Sequence, residues 1–345
     1  ERLDMTIPTQ TTRRDFFKKI GGGAAATATL SIGAASSALA DSSAVISQGA
    51  LQGAGFYRFP LGEKTITVLA DGNDDFPGQG LFALNASQEE FADVQEALFE
   101  PADSVNFHMN TLLVEEGDRK ILIDAGFGHF LGSSFGRQTT ALQNAGIDPS
   151  DIDMVIISHG HADHFAGLVD SNLALRFPNA QIVFNEREWG YWTSDQAVTD
   201  VRKSALPDAF KDLFISTTQA VLPVAAQNLE LVNVAAETEI APGITLIPAP
   251  GHSPHSMVIL LTSGSEQLLY ASDTTLLVKQ NSIAPEWVSA FEYDGPSLVE
   301  TRLRLLDRAV ADKISWFGYH SSFPAVGRIR KTSSAYEFID ASWRW

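Results

Sequence analysis

At 345 residues the chain has room for one large domain or two small ones, and 44% apolar residues can build a sizeable core. A formal charge of −18 repels phosphate backbones and anionic lipid, which argues against a nucleic-acid partner and against stable membrane association. There is no cysteine, so disulfides and thiolate ligands are excluded and any metal site must draw on histidine and carboxylate.

In chain order, Thr12-Arg13-Arg14-Asp15-Phe16-Phe17-Lys18 matches a twin-arginine export signal. A weakly apolar Gly/Ala-rich stretch follows from Ile20 to about Ala35, and Ala38-Leu39-Ala40 offers the small residues a signal peptidase needs. The stretch is too polar for a good membrane span. Residues 1–40 are therefore read as a removed signal, with 41–345 as a single domain destined for the periplasm or secretion.

Residues 56–71 alternate apolar and polar about a Leu61-Gly62-Glu63-Lys64 turn and predict a hairpin. Ser87-Gln88-Glu89-Glu90 is a capping box, and Phe91, Val94, Ala97 and Leu98 then recur at helical spacing. Phe107 to Val114 and Lys120 to Ile123 form a strand pair that ends in Asp124-Ala125-Gly126. A helix from Arg137 to Asn144 stops at Gly146. Met154-Val155-Ile156-Ile157 is a short buried strand, and it runs into Ser158-His159-Gly160-His161-Ala162-Asp163-His164. Residues 180–184 form the next strand, followed by a helix carrying Trp189, Tyr191 and Trp192. A further helix over 203–216 carries Phe210 and Phe214. These aromatics are core by default, but a loop and helix insertion here can also wall a substrate pocket. Strands then recur at Leu229 to Val234, Ile244 to Ile247, Met257 to Leu261 and Gln267 to Ala271. An amphipathic helix spans Pro296 to Ala311, and Ile314 to Tyr319 is the last buried strand. Strand-rich halves joined by helices predict two packed sheets with helices outside.

Three imidazoles and a carboxylate within six residues, placed where a strand stops, are candidate ligands for Zn²⁺ or a similar ion. His252, Asp273 and His320 each follow an apolar strand in the same manner. Each alone would more often be a turn residue or a satisfied histidine; three such placements together point to one site. Two divalent ions about 3.5–4 Å apart can share one water, lower its pKa to near 7 and make it the nucleophile, so no serine or cysteine is needed. His108, His129 and His255 remain; His129 and His255 are candidates for the rim, with a structural role as the default.

The set His159, His161, Asp163, His164, His252, Asp273 and His320 resembles the binuclear pattern of the metallo-β-lactamase-fold hydrolases. The resemblance implies an αββα sandwich of two mixed β-sheets flanked by helices. It implies one metal on His159, His161 and His252, another on Asp163, His164 and His320, and Asp273 bridging both. Zinc is the expected metal, with manganese, cobalt or iron as alternatives. Asp163 would also hold or shuttle the proton, which makes Asp163 and Asp273 the expected catalytic carboxylates. Asp124 would support the metal-binding loop without touching metal.

Gly55-Phe56-Tyr57-Arg58, Ala70-Asp71-Gly72, Phe177-Pro178-Asn179-Ala180 and His320-Ser321-Ser322-Phe323-Pro324 are similar to the methyl parathion hydrolase branch, over roughly Gly55 to Phe338. That branch implies a homodimer and a hydrophobic pocket, with Leu131, Trp192, Phe210 and Leu276 as the candidate lining here. Trp192 matches one of the branch's aromatic positions, whereas Leu131 replaces an aromatic. Acyl-homoserine lactonases of this fold carry a tyrosine where Leu276 stands, which argues against a dedicated quorum-quenching role. Zinc β-lactamases of the commonest class need a cysteine ligand that is missing. The expected activity is hydrolysis of lactones or aryl esters. The alternatives are phosphotriester hydrolysis and, from another class, metal binding without catalysis.

Overall fold

The structure, a computed structural model, describes residues 53–342. The export segment 1–40 and the start of the expected domain near Asp41 lie outside those residues. The first two strands, β1 (Phe56–Leu61) and β2 (Lys64–Pro77), form the expected hairpin. Its turn uses Gly62 at φ +56°, a conformation that glycine adopts without strain. β3 (Ser104–Glu116) and β4 (Arg119–Ile123) extend the sheet antiparallel. From there β5 (Met154–Ile156), β6 (Gln181–Asn185) and β7 (Leu229–Val232) run parallel to β4. Parallel neighbours need long crossovers, and it is these crossovers that carry the helices of this half. The strands lie in chain order across the sheet, β1 to β7.

The second sheet holds β8 (Thr238–Ala241), β9 (Ile244–Pro248), β10 (Met257–Ser263), β11 (Glu266–Tyr270), β12 (Ser315–Phe317), β13 (Val326–Lys331) and β14 (Tyr336–Asp340). Ile259 and Leu261 of β10, Leu268 and Tyr270 of β11 and Phe317 of β12 pack with Ile66, Leu112 and Ile123 of the first sheet. Their neighbours Val258, Leu260, Leu269 and Trp316 pack instead with Leu305, Leu306 and Ala309 of helix Gly295–Ala311. Both faces of this sheet are therefore covered, which explains why its strands read as apolar runs rather than alternating ones. The result is the expected mixed α/β sandwich of two sheets with flanking helices.

Three details differ from the sequence reading. The helix expected over 203–216 is two helices, Asp195–Lys203 and Asp208–Ala225. Pro207 separates them, because the residue before a proline is pushed out of the helical region. The strand expected at 314–319 is only Ser315–Phe317, and it is not the last, since β13 and β14 follow. β13 carries Arg328, Arg330 and Lys331, whose charges mask the strand pattern, and its buried apolar residues are only Val326 and Ile329. The run Ser158–His164, read only as the place where a strand stops, closes in a short helix, Ala162–Phe165, which contains Asp163 and His164.

Candidate metal centre

Asp124 and most of the candidate ligands stand just beyond strand ends. Asp124 follows β4, His159 and His161 follow β5, His252 follows β9, Asp273 follows β11 and His320 follows β12. Loops beyond the carboxyl ends of parallel strands are where α/β sheets place their sites. Hydrogen bonds between the two sheets fix these loops to one another. Met257 N–H donates to Ser158 O at 3.0 Å, and Asn110 Nδ2 donates to Tyr319 O at 3.0 Å and to Ser321 O at 2.7 Å. Tyr319 Oη donates to Asp163 O at 2.6 Å.

Two clusters result, His159–His161–His252–Asp273 and Asp163–His164–His320–Asp273. The ligand atoms of each lie within 4.8 Å of one another, and every member is buried. Asp273 belongs to both: its Oδ2 is 3.1 Å from His252 Nε2 and 3.2 Å from His320 Nε2, and its Oδ1 is 3.3 Å from His164 Nε2. His159 Nε2, His164 Nε2 and Asp273 Oδ1 are buried without a hydrogen-bond partner. Buried polar atoms are nearly always satisfied, so three orphans aimed into one place fit metal ions. The nitrogen and oxygen donors suit zinc-type divalent ions, and seven ligands are too many for one tetrahedral ion.

The other ring nitrogens are held from outside. Asp124 accepts from Ser158 N–H and Ser158 Oγ, both at 2.7 Å, and from Tyr270 Oη at 2.6 Å, and it bonds His164 Nδ1 at 2.7 Å. Its backbone sits at φ +59°, a strained conformation for a residue with a Cβ. Glu292 Oε2 bonds His252 Nδ1 at 2.6 Å, and His320 Nδ1 bonds the backbone oxygen of His108 at 2.8 Å. Such outer partners orient a ligand histidine and fix its tautomer. Burial holds His159 and His161 well below the usual imidazole range. Burial also pulls His252 down, but Glu292 and Asp273 outweigh it and raise the imidazole to about 10. For Asp163 and Asp273, burial is outweighed by the surrounding imidazoles, and both carboxyls are held well below their usual value.

A cavity of about 20 Å³ lies over the clusters, with His161, Asp163, His252, Asp273 and His320 in its wall. The rest of the wall is apolar: Phe76, Phe82, Phe107, Met109, Phe127, Leu131, Phe210, Phe214, Leu276 and Phe291. Of the candidate pocket residues, Leu131, Phe210 and Leu276 line this cavity. Trp192 does not. Its indole stands behind His161, ring centroids 5.2 Å apart, with Nε1 donating to Glu188 at 2.8 Å and Ser253 at 3.0 Å. It lines a separate cleft instead, together with Val198, Val201, Ile215 and Leu222. His129 lies against Phe130 with the two rings tilted, and His255 donates its backbone N–H to Glu188; neither ring enters a cluster. Glu188 and Glu292 were not legible in the sequence. No motif marks either one.

Residues 107–317 match the metallo-β-lactamase superfamily. Among solved structures, the chain is similar to AidC, a dizinc quorum-quenching lactonase in complex with the product N-hexanoyl-L-homoserine. The match has a TM-score of 0.78 and 26% identity, and covers 84% of this chain and 98% of that one. A hydrolase of the β-lactamase superfamily, AbOPH, matches with a TM-score of 0.76 and 24% identity over 85% of this chain and 99% of that one. A probable metal-dependent hydrolase from Staphylococcus aureus matches at 0.64 and 20% identity over 83% and 100%. The last two bear on the fold alone.

Proposed function

This chain belongs to the metallo-β-lactamase superfamily, and we propose that it is a binuclear metal-dependent hydrolase of neutral lactones and aryl esters. One observation carries this reading: two ligand clusters sharing Asp273 meet a cavity walled by phenylalanine, with no lysine or arginine in its lining among the described residues. A carboxylate or phosphodiester substrate would find no cation there beyond the metals, whereas an uncharged acyl or aryl group is matched by the walls.

Divalent ions bound at the two clusters would supply Lewis acidity toward the substrate oxygen and acidify a water to serve as nucleophile. The protein's share is positioning, water exclusion and proton handling. Asp163 lines the cavity, so it is placed to take the proton of the attacking water and return it to the leaving oxygen. Tyr270 and Tyr319 spend their hydroxyls on Asp124 and the Asp163 backbone, so neither is free to stabilise an oxyanion. Rings of Phe76, Phe82, Phe210 and Phe291 meet at centroid distances of 5.6–6.1 Å over the site.

The dizinc lactonase likeness supports the lactone part of the reading. The methyl parathion hydrolase-like segments support a second activity on phosphotriesters, which are also neutral and apolar and meet the same walls. A panel of an uncharged lactone, 4-nitrophenyl acetate, a neutral phosphotriester and an anionic cephalosporin, each with and without chelator, tests the proposal. Chelator-sensitive turnover of the neutral compounds with none of the cephalosporin is expected. Full turnover in chelator, or preference for the anion, would contradict it, and tight metal binding with no turnover at all would favour a binding protein.

A further inference from the structure

Glu188 lies outside both clusters, on helix Glu186–Trp192, and is completely buried. Its carboxylate is met by four neutral donors. Oε1 accepts from Gly160 N–H at 2.9 Å, from Trp192 Nε1 at 2.8 Å and from the Ser253 hydroxyl; Oε2 accepts from His255 N–H at 2.9 Å. Gly160 separates His159 from His161, and Ser253 directly follows His252. One carboxylate thus ties together the two loops, one from each sheet, that carry all three histidines of a single cluster.

Trp192 completes the arrangement. A Cβ on Gly160 would meet Trp192 Cδ1 at 2.1 Å, so the indole lies flush on the loop between two ligands and edge-on to His161. The other cluster has a different anchor: Asp124 bonds His164 directly, and Glu188 touches no residue of the Asp163–His164–His320 set.

We propose that Glu188 is a positioning residue that sets the metal affinity of the His159–His161–His252 cluster and leaves the other cluster unaffected. The proposal rests on the reading that both clusters hold metal. Four buried donors demand an acceptor, and one that reaches both loops helps keep the three imidazoles converged on one point. Glutamine keeps the volume but replaces one oxygen with an NH₂. With three donors at Oε1, the amide oxygen takes that place and the NH₂ then opposes the His255 N–H. Alanine leaves all four donors orphaned.

The test is zinc release to a chromogenic chelator from wild type, Glu188→Gln and Glu188→Ala, with melting curves of the metal-free proteins alongside. In Glu188→Gln one zinc equivalent should bind about 10–100-fold more weakly, the range for outer partners of ligands, while the second stays within about threefold of wild type. Glu188→Ala should lose the first equivalent altogether. In an Asp163→Ala background, which disables the other cluster, Glu188→Gln should weaken the single remaining equivalent by the same factor. Equal weakening of both equivalents, or of neither, overturns the proposal. So does a fall in metal-free melting temperature with both zinc affinities intact, because that marks a purely structural role. A wild-type protein that holds fewer than two zinc equivalents instead overturns the binuclear reading, and the proposal falls with it.

Discussion

Asp273 is the residue on which the centre turns, because it alone stands in both clusters. Asp273→Ala should abolish retention of both metals and all turnover, measured by elemental analysis after dialysis; a variant that keeps both metals contradicts the bridge. Asp124→Ala should weaken metal loading about 10–100-fold, since it orients His164 without joining a cluster. Gly160→Ala presses a methyl into Trp192 and should lower both metal content and melting temperature, although the residue bears no ligand atom. The pH response follows from the ligand imidazoles. Against the pull of burial, Glu292 and Asp273 raise His252 to about 10 and the site's carboxylates raise His164 and His320 too, so the metal-free site should hold a proton there at neutral pH. A metal must expel that proton, so affinity rises with pH up to that value and falls as pH drops. Calorimetry at pH 7 in two buffers of different ionisation enthalpy should therefore show proton release on zinc binding. Release of no proton would contradict a protonated metal-free site.

At the scale of elements, the ligand strands were legible because each is a short apolar run that stops at a histidine or aspartate, and burial on both faces produces such runs. Glu188 and Glu292 were not legible. A carboxylate that accepts from amides 28 and 67 residues away leaves no local pattern, and Glu292 reaches His252 across 40 residues. Trp192 shows the same limit in another form. Its helix was predicted, but a ring in front of His161 and a ring behind it are equally apolar in sequence. Behind is where the structure puts it, so Trp192→Ala should lower metal content and stability more than it raises KM for an aryl ester. Helix Gly295–Ala311 provides the contrast. Leu305 is fully buried against the outer face of the second sheet, so Leu305→Ala should cost about 2–5 kcal/mol of stability by chemical denaturation. Activity of the folded fraction should stay at the wild-type level, because the side chain packs on the face turned away from the clusters.

For the whole molecule, the phenylalanine-rich cavity wall suits the neutral substrates proposed above, and the proposed export route rests on the twin-arginine run alone. Replacing Arg13 and Arg14 with lysine should hold the protein in the cytoplasm, read by fractionation; unchanged arrival in the periplasm would count against this route. The central claim is that hydrolysis depends on two metals bound to the clusters joined by Asp273. Its most direct test is a titration: protein stripped of metal, zinc added stepwise, and hydrolysis of an uncharged lactone followed at each step. The account predicts no turnover at zero zinc and a plateau at two equivalents per chain. A plateau at one equivalent, or turnover by the stripped protein, would contradict it.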